Sequence, residues 1–199
     1  MKKILTISAT ALAAAIALAG CSGGGSMPGM DMGSSSKSSS SAPVTAGDHN
    51  AADTMFAQMM IPHHAQAVEM SDMLLKKQNI PAAVTALATK IKAAQAPEIE
   101  KMTGWLKDWN ESATMSGSMS GSMSGMMGDE DMKKLEAAQG TEAAKLFLTQ
   151  MIAHHEGAVM MAKTEEADGK NPDAVQLSKD IVTAQEAEIQ EMKDLLGTL

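Results

Sequence analysis

The chain has 199 residues, a formal net charge of −8, 20 Met, one Cys and no Tyr, and all 16 of its basic residues are Lys. This acidic balance argues against nucleic acid as a partner, because phosphate binding needs a basic surface. A single Cys excludes an internal disulfide framework and any multi-cysteine zinc or iron–sulfur site.

Residues 1–20 are typical of an export signal, since two lysines precede an uncharged, mostly apolar stretch at 4–18 that is short for a membrane span. The stretch ends in LAGC at 18–21, which resembles the bacterial lipoprotein processing box. The resemblance implies cleavage before Cys21 and a diacylglycerol on its sulfur, which would anchor the protein to a membrane on the extracytoplasmic side. Ordinary secretion with a free thiol is the alternative.

Two low-complexity segments separate the rest of the chain. Residues 21–47 form a Ser, Gly and Met stalk, and residues 113–128 form a second Met, Ser and Gly spacer. Frequent Gly and Ser disfavour a helix, so we expect both segments to be disordered. Met in such a string has no core to fill, which favours a role for its sulfur over packing. Drift of simple sequence is the alternative.

The remaining chain is a duplication, with a first copy at 48–112 and a second copy at 129–199. FAQMMIPHHAQAVEMS at 56–71 matches FLTQMIAHHEGAVMMA at 147–162 in eight of 16 positions. AQAPEIEKM at 94–102 matches AQEAEIQEM at 184–192 in the same order. Each copy therefore contains the same two sequence blocks, and we predict that each forms a helical hairpin.

Apolar periodicity and turn residues predict four long helices and one short one. They are expected at about 50–78, 82–111, 141–168 and 172–197, with the short helix at about 129–138. We expect Asn79–Pro81 and Asn171–Pro172 to separate the helices of each hairpin, with Asn171 as the N-cap of the last helix, Thr141 to cap the third long helix, and Pro62 to bend the first helix. These elements predict an all-α fold, a four-helix bundle of duplicated hairpins in one domain at 48–199.

Two adjacent histidine pairs, His63–His64 and His154–His155, occur at equivalent places in the copies. Neighbouring helical positions differ by about 100°, so one pair rarely chelates one ion. However, His64 lies four residues after Met60, which places thioether and imidazole on one face, and Met151 precedes His155 in the same way. Repetition favours metal binding over satisfied core or surface histidines. Affinity should then fall below a pH of about 6.5, where imidazole becomes protonated.

The second block repeats a stripe of Gln, Glu and Met on the partner helix. The stripe contains Gln95, Glu98 and Met102 in the first copy and Gln185, Glu188 and Met192 in the second. Each Glu has three interpretations: a metal ligand, an acceptor that orients a histidine N–H, or an exposed residue. Thioether sulfur favours Cu(I) or Ag(I), whereas zinc prefers thiolate, which is missing here. Di-iron bundles use Glu-x-x-His, which both histidine-bearing helices lack.

The repeated motifs M-I-x-H-H-x-x-A-x-x-M and Q-x-x-E-I-x-x-M resemble the bacterial domain-of-unknown-function family 305, over about 50–110 and 130–197. The resemblance implies an exported, ferritin-like helical bundle, and some relatives bind copper and are linked to copper tolerance. The Met-rich spacer and the low aromatic content depart from the family pattern. The motif positions implied are Met60, His63, His64, Met70, Met151, His154, His155 and Met161.

We therefore interpret the chain as a membrane-anchored, extracytoplasmic protein that binds Cu(I) or Ag(I), for sequestration or for delivery to a copper-transfer protein. The candidate metal residues are Met60, His63, His64, Met70, Glu98, Met102, Met151, His154, His155, Met161, Glu188 and Met192, and the candidate lipidation site is Cys21. No catalytic motif is visible, so we do not predict an enzyme. A ferritin-like redox enzyme using iron or copper, and a partner-binding lipoprotein without metal, are the alternatives.

Overall fold

The computed structural model describes residues 48–114 and 123–199, which leaves Cys21, the stalk and the middle of the spacer outside the described residues. The described chain forms five helices: α1 Ala51–Leu75, α2 Ala82–Asp108, α3 Asp129–Ala137, α4 Gly140–Asp168 and α5 Pro172–Thr198. Across these two ranges no strand occurs, and none of the helices is long and apolar enough to cross a bilayer. The predicted all-α fold is confirmed.

The two hairpins pack through their first helices. Helices α1 and α4 lie against each other, α2 packs on α1, and α5 packs on α4, while α2 and α5 barely touch. The central pair is antiparallel. At one end the Asn50 side-chain N–H donates to the carbonyl of Asp168 over 2.8 Å, and at the other end Gly140 lies beside the carbonyl of Asn79. The short helix α3 covers one part of this pair.

The helix ends follow the turn chemistry with one exception. The Asn171 side chain accepts from the N–H groups of Asp173 and Ala174 and caps α5, as predicted. Thr141 does not cap α4, because the helix already begins at Gly140. Gly140 has a φ of +56°, a left-handed conformation that glycine adopts without steric cost and that turns the chain out of α3. Pro62 lies inside an uninterrupted α1.

The core forms two clusters along the central pair. The periodic residues Phe56, Met60, Ala67 and Leu74 are all buried, as the helical pattern predicts. One cluster joins Met70 of the first copy with residues of the second, and the other contains residues of both copies as well. Equivalent methionines therefore occupy opposite clusters, as expected for two copies related by a local twofold axis between α1 and α4. The methionines are Met70, Met151 and Met192 in one cluster, and Met60, Met102 and Met161 in or against the other.

Candidate metal centre

Four buried histidines, which we call the histidine layer, occupy the middle of α1 and α4 between the two clusters. They are His63, His64, His154 and His155, and none has more than 1% of its surface exposed. The rings of His63 and His154 face each other, with centroids 3.7 Å apart and planes tilted by 38°. Since these two residues are equivalent in the repeat, the local twofold axis passes between their rings.

The outer helices contribute a carboxylate to each remaining histidine. Glu98 of α2 lies 2.7 Å from Nε2 of His64, and Glu188 of α5 lies 2.9 Å from Nε2 of His155. The stripe on the second block thus faces the histidines, and Glu188 is buried while Glu98 is partly exposed. An ionised carboxylate can only accept a hydrogen bond, so Nε2 of each ring carries the proton. The lone pair of each ring is then on Nδ1.

Several ring nitrogens in the layer are buried without a hydrogen-bond partner. His63 donates from Nε2 to the carbonyl of Ser124 over 3.3 Å, which leaves its lone pair on Nδ1 as well. Among residues 48–114 and 123–199, no hydrogen bond of ordinary geometry reaches Nδ1 of His63, His64 or His155, or either nitrogen of His154, although the His63 backbone lies close enough to His154 to raise its pKa. Buried polar atoms in folded proteins are normally paired. Unpaired lone pairs concentrated in one place are chemically suited to a cation.

Burial keeps His63, His154 and His155 neutral. Burial, reinforced by the nearby His64, lowers the pKa of His63 to about 3, although the Ser124 carbonyl acts in the opposite direction. Burial also lowers the pKa of His154 and of His155, and for His155 it outweighs the hydrogen bond that the ring donates to Glu188, which raises the pKa. Neutral imidazole is the form that binds metal.

The predicted sulfur donors belong to the two apolar clusters or pack against them. Met60, Met70, Met102, Met151 and Met192 are fully buried, whereas Met161 is partly buried. Each is part of an apolar cluster or packs against it, so its thioether also fills core space. Across the described chain, no group of three or more His, Cys, Asp or Glu side chains is arranged to hold a metal ion.

The end of the spacer, residues 123–128, packs on the histidine layer, which differs from the disorder expected for the whole spacer. The Met127 N–H donates to the Gln66 side chain over 2.7 Å, and the Gln66 amide donates back to the Met127 carbonyl over 2.9 Å. A Cβ on Gly157 would lie 2.0 Å from the Ser124 carbonyl oxygen. Only a bare glycine on α4 permits this approach, which places Ser124 over His63.

A buried acid pair, Asp53 and Glu165, joins the start of α1 to the end of α4, and sequence reasoning did not find it. Burial alone would raise the pKa of Asp53, but hydrogen bonds from Glu165 and from the backbone N–H groups of Asn50, Asn171 and Lys170 lower it. Burial and the adjacent Asp53 raise the pKa of Glu165 to about 8. Glu165 therefore holds the proton of the pair at neutral pH. No local sequence pattern indicates this pair, because the two acids are distant in sequence.

The family profile described as Domain of unknown function (DUF305) matches residues 53–196. The chain belongs to the DUF305 family. A DUF305 protein from Streptomyces coelicolor, designated as secreted, is similar at 36% identity and a TM-score of 0.70, over 74% of this chain and 93% of that one. A DUF305 fragment from Deinococcus radiodurans is similar at 29% identity and a TM-score of 0.69, over 75% and 98%.

A second type of solved relative is CopM. Its Cu(I)-bound form is 33% identical, with a TM-score of 0.61 over 73% of this chain and 96% of that chain. CopM has also been solved in Cu(II)-bound, Ag-bound and apo forms. No curated protein matches this DUF305 chain by sequence.

Proposed function

We propose that this DUF305 protein binds Cu(I), with Ag(I) as its close analogue, for copper sequestration or transfer at the cell envelope. The observation that carries the proposal is the histidine layer, where three Nδ1 lone pairs and a whole imidazole are buried without partners among the described residues. The similarity to CopM, solved with Cu(I) and with Ag, supports the same class of ion.

Each copy supplies one equivalent set of donors. His64 and His155 offer Nδ1, since Glu98 and Glu188 accept their Nε2–H groups and fix the tautomer, as carboxylates behind metal-bound histidines commonly do. One helical turn earlier, Met60 or Met151 adds a thioether on the same face. His63 and His154 lie between the two sets. Met70, Met102, Met161 and Met192 are further thioethers around the layer.

The donor types favour a soft monovalent ion. Neutral imidazole and thioether carry no charge, so they suit Cu(I) better than Zn(II), which prefers thiolate or carboxylate. The alternative of a redox enzyme with iron needs several carboxylates and histidines around one ion. Among the described residues, each histidine pair instead has a single carboxylate partner, Glu98 or Glu188. We therefore propose binding without a catalytic step.

The proposal is tested by anaerobic Cu(I) titration against a chelator of known affinity, with Zn(II) and Fe(II) in parallel. The H63A/H64A/H154A/H155A variant should lose the tightest site while its helical circular dichroism persists. The milder H64A/H155A variant serves if the quadruple variant fails to fold. The matched control is H49A, because His49 stacks on Trp109, with ring centroids 4.5 Å apart, outside the layer. Unchanged Cu(I) affinity in a folded variant would refute the histidine site.

We also propose a lipid anchor at Cys21 that holds the domain on the extracytoplasmic face, where it meets a copper-transfer partner. The support is the LAGC sequence at 18–21 and the secreted designation of the Streptomyces relative. In cells, C21S should leave the precursor uncleaved and unlabelled by fatty acid, whereas S22A should be processed normally. Wild-type protein released into the medium with a free thiol at position 21 would contradict the anchor.

A further inference from the structure

A cavity of about 420 Å³ opens between the first turns of α1 and the last turns of α4, away from the histidine layer. Three methionines line it, together with the buried acid of the pair described above and an exposed aspartate. The residues that matter are Met55, Met59, Met161, Glu165 and Asp168.

The three thioethers come from two helices and are accessible to solvent. Met55 is 50% exposed, and Met59 and Met161 are partly buried. Met55 and Met59 are one turn apart on α1, so their side chains share a face. Methionine side chains are flexible enough to converge on one ion. Three neutral sulfur atoms form a donor set that selects Cu(I) or Ag(I) over harder cations.

The charge around the cavity also suits a cation. No Lys lines it, and Asp168 is an exposed carboxylate on its wall. Glu165, which is 1% exposed, places a carboxyl group at its inner side. A soft cation that arrives from solvent therefore first meets the carboxylate of Asp168 and then the sulfur atoms of the three methionines.

Packing requirements do not account for Met55 and Met59, whereas Met161 also packs against a core cluster. The positions equivalent to Met55 and Met59 in the second copy are Leu146 and Gln150. That face is covered by α3, and the Gln150 amide donates to the Asp131 carbonyl over 3.0 Å. The first copy has methionines on the face that α3 leaves uncovered. Exposed thioethers there gain little from burial, which leaves sulfur chemistry as their distinguishing property.

We propose that Met55, Met59 and Met161 form a solvent-accessible thioether site that captures Cu(I) or Ag(I) and passes it to the histidine layer. This inference rests on the proposed function of the layer. Along α1, Met55, Met59 and His63 follow one another at intervals of four residues, from half-exposed to fully buried. The spacing provides one donor per helical turn between solvent and the layer.

The test is an anaerobic Ag(I) titration of protein labelled with ¹³C at the methionine methyl groups. The M55L/M59L/M161L variant keeps the cavity apolar and near its original volume. The control is M160L, since Met160 is 56% exposed, adjoins Met161 in sequence and does not line the cavity. In wild type and in the control, the methyl signals of Met55, Met59 and Met161 should shift together at substoichiometric Ag(I).

The triple variant should bind about one equivalent less than the control, and Cu(I) transferred from a chelator should reach its histidines more slowly. Equal stoichiometry and equal loading rates in the variant and the control would overturn the thioether site, even with the histidine site intact. Wild-type protein that binds neither ion would instead refute the proposed function and this inference together. The melting temperature of the triple variant is measured first, and the comparison is made only if this temperature is normal.

Discussion

Gln66 and Gly157 are equivalent positions of the repeat, yet they contact residues 123–128 in different ways. Gln66 holds the Met127 backbone through two hydrogen bonds, and Gly157 leaves room for Ser124. The sequence blocks around both positions are identical in eight of 16 positions. The difference between Gln66 and Gly157 is one that allows an asymmetric segment to dock on a nearly symmetric centre.

Replacing Gly157 by Ala should destabilise the protein. The added Cβ would lie 2.0 Å from a backbone oxygen, and overpacking of this kind costs about 1–3 kcal/mol. The control G104A has open space within 4 Å and should gain about 0.5–1 kcal/mol from the better helix propensity of Ala. Chemical denaturation measures both values. Similar gains in both variants would show that residues 123–128 do not pack closely on α4.

Variants of Glu98 and Glu188 can show whether these carboxylates orient the histidines or bind the metal themselves. In E98Q/E188Q the amide oxygen can still accept the Nε2–H of His64 and His155, so Cu(I) affinity should change little. In E98L/E188L the acceptor is lost, and removal of such partners typically costs about 10–100-fold in metal affinity. Chelator competition measures the difference. An equally large loss in both variants would make the carboxylates ligands.

At the scale of elements, α1 and α4 hold every histidine of the layer, while α2 and α5 supply the acceptors behind them. The spacer end adds a sixth element without regular structure, which lies over His63. Its three described methionines, Met123, Met126 and Met127, are partly exposed. The layer is therefore closed on one side by a segment that is held by polar contacts and by Met127, which packs against a core cluster.

Removing the Gln66 side chain should release this segment. Q66A eliminates both hydrogen bonds to Met127, and a lost intramolecular hydrogen bond costs about 0.5–1.5 kcal/mol. The Met127 amide should exchange with solvent much faster, while amides in the middle of α5 remain protected. Q58A is the control, because Gln58 donates to Ser112 at the other side of the spacer. Unchanged protection of the Met127 amide in Q66A would show that Gln66 does not hold residues 123–128 in place.

At the scale of the whole molecule, three buried histidines with lowered pKa values link stability to pH. His63 has a pKa of about 3 instead of 6.5, and burial lowers the pKa of His154 and His155 as well. The unfolded chain binds protons near pH 6.5, whereas folded His63 resists them until about pH 3. This contribution to the free energy of unfolding is therefore fully present above pH 6.5, and it is lost as the pH falls through the range between the two pKa values.

Metal-free protein should lose stability between pH 7 and pH 5, by about 2 kcal/mol from His63 alone. Glu165 acts in the opposite direction, because its pKa is raised from 4.5 to about 8 and stability is lost as pH rises through that window. The histidines outnumber it, so the net change is a loss. Thermal melts across this range measure the effect, and H49A should behave like wild type. A flat profile would contradict neutral burial of the layer.

The burial of His63 leads to a different expectation for the pH dependence of Cu(I) binding than the sequence does. An ordinary histidine pKa predicts weaker Cu(I) binding below about pH 6.5. The folded His63 stays neutral to about pH 3, so Cu(I) binding should persist at pH 5 for as long as the protein stays folded. A titration at pH 5 consequently does not separate thioether sites from histidine sites, and the methionine and histidine variants are needed for that purpose.

Sequence alone determined the duplication, the five helices and the faces that carry Met, His and Glu, because helical periodicity and turn chemistry are local. It did not determine which residues meet across the copies. The contact of His63 with His154, the docking of residues 123–128 and the pairing of Asp53 with Glu165 join positions far apart in the chain. Only tertiary packing decides such contacts. It also buries His63, His154 and His155, which keeps them neutral, and it leaves the methionine-lined cavity open.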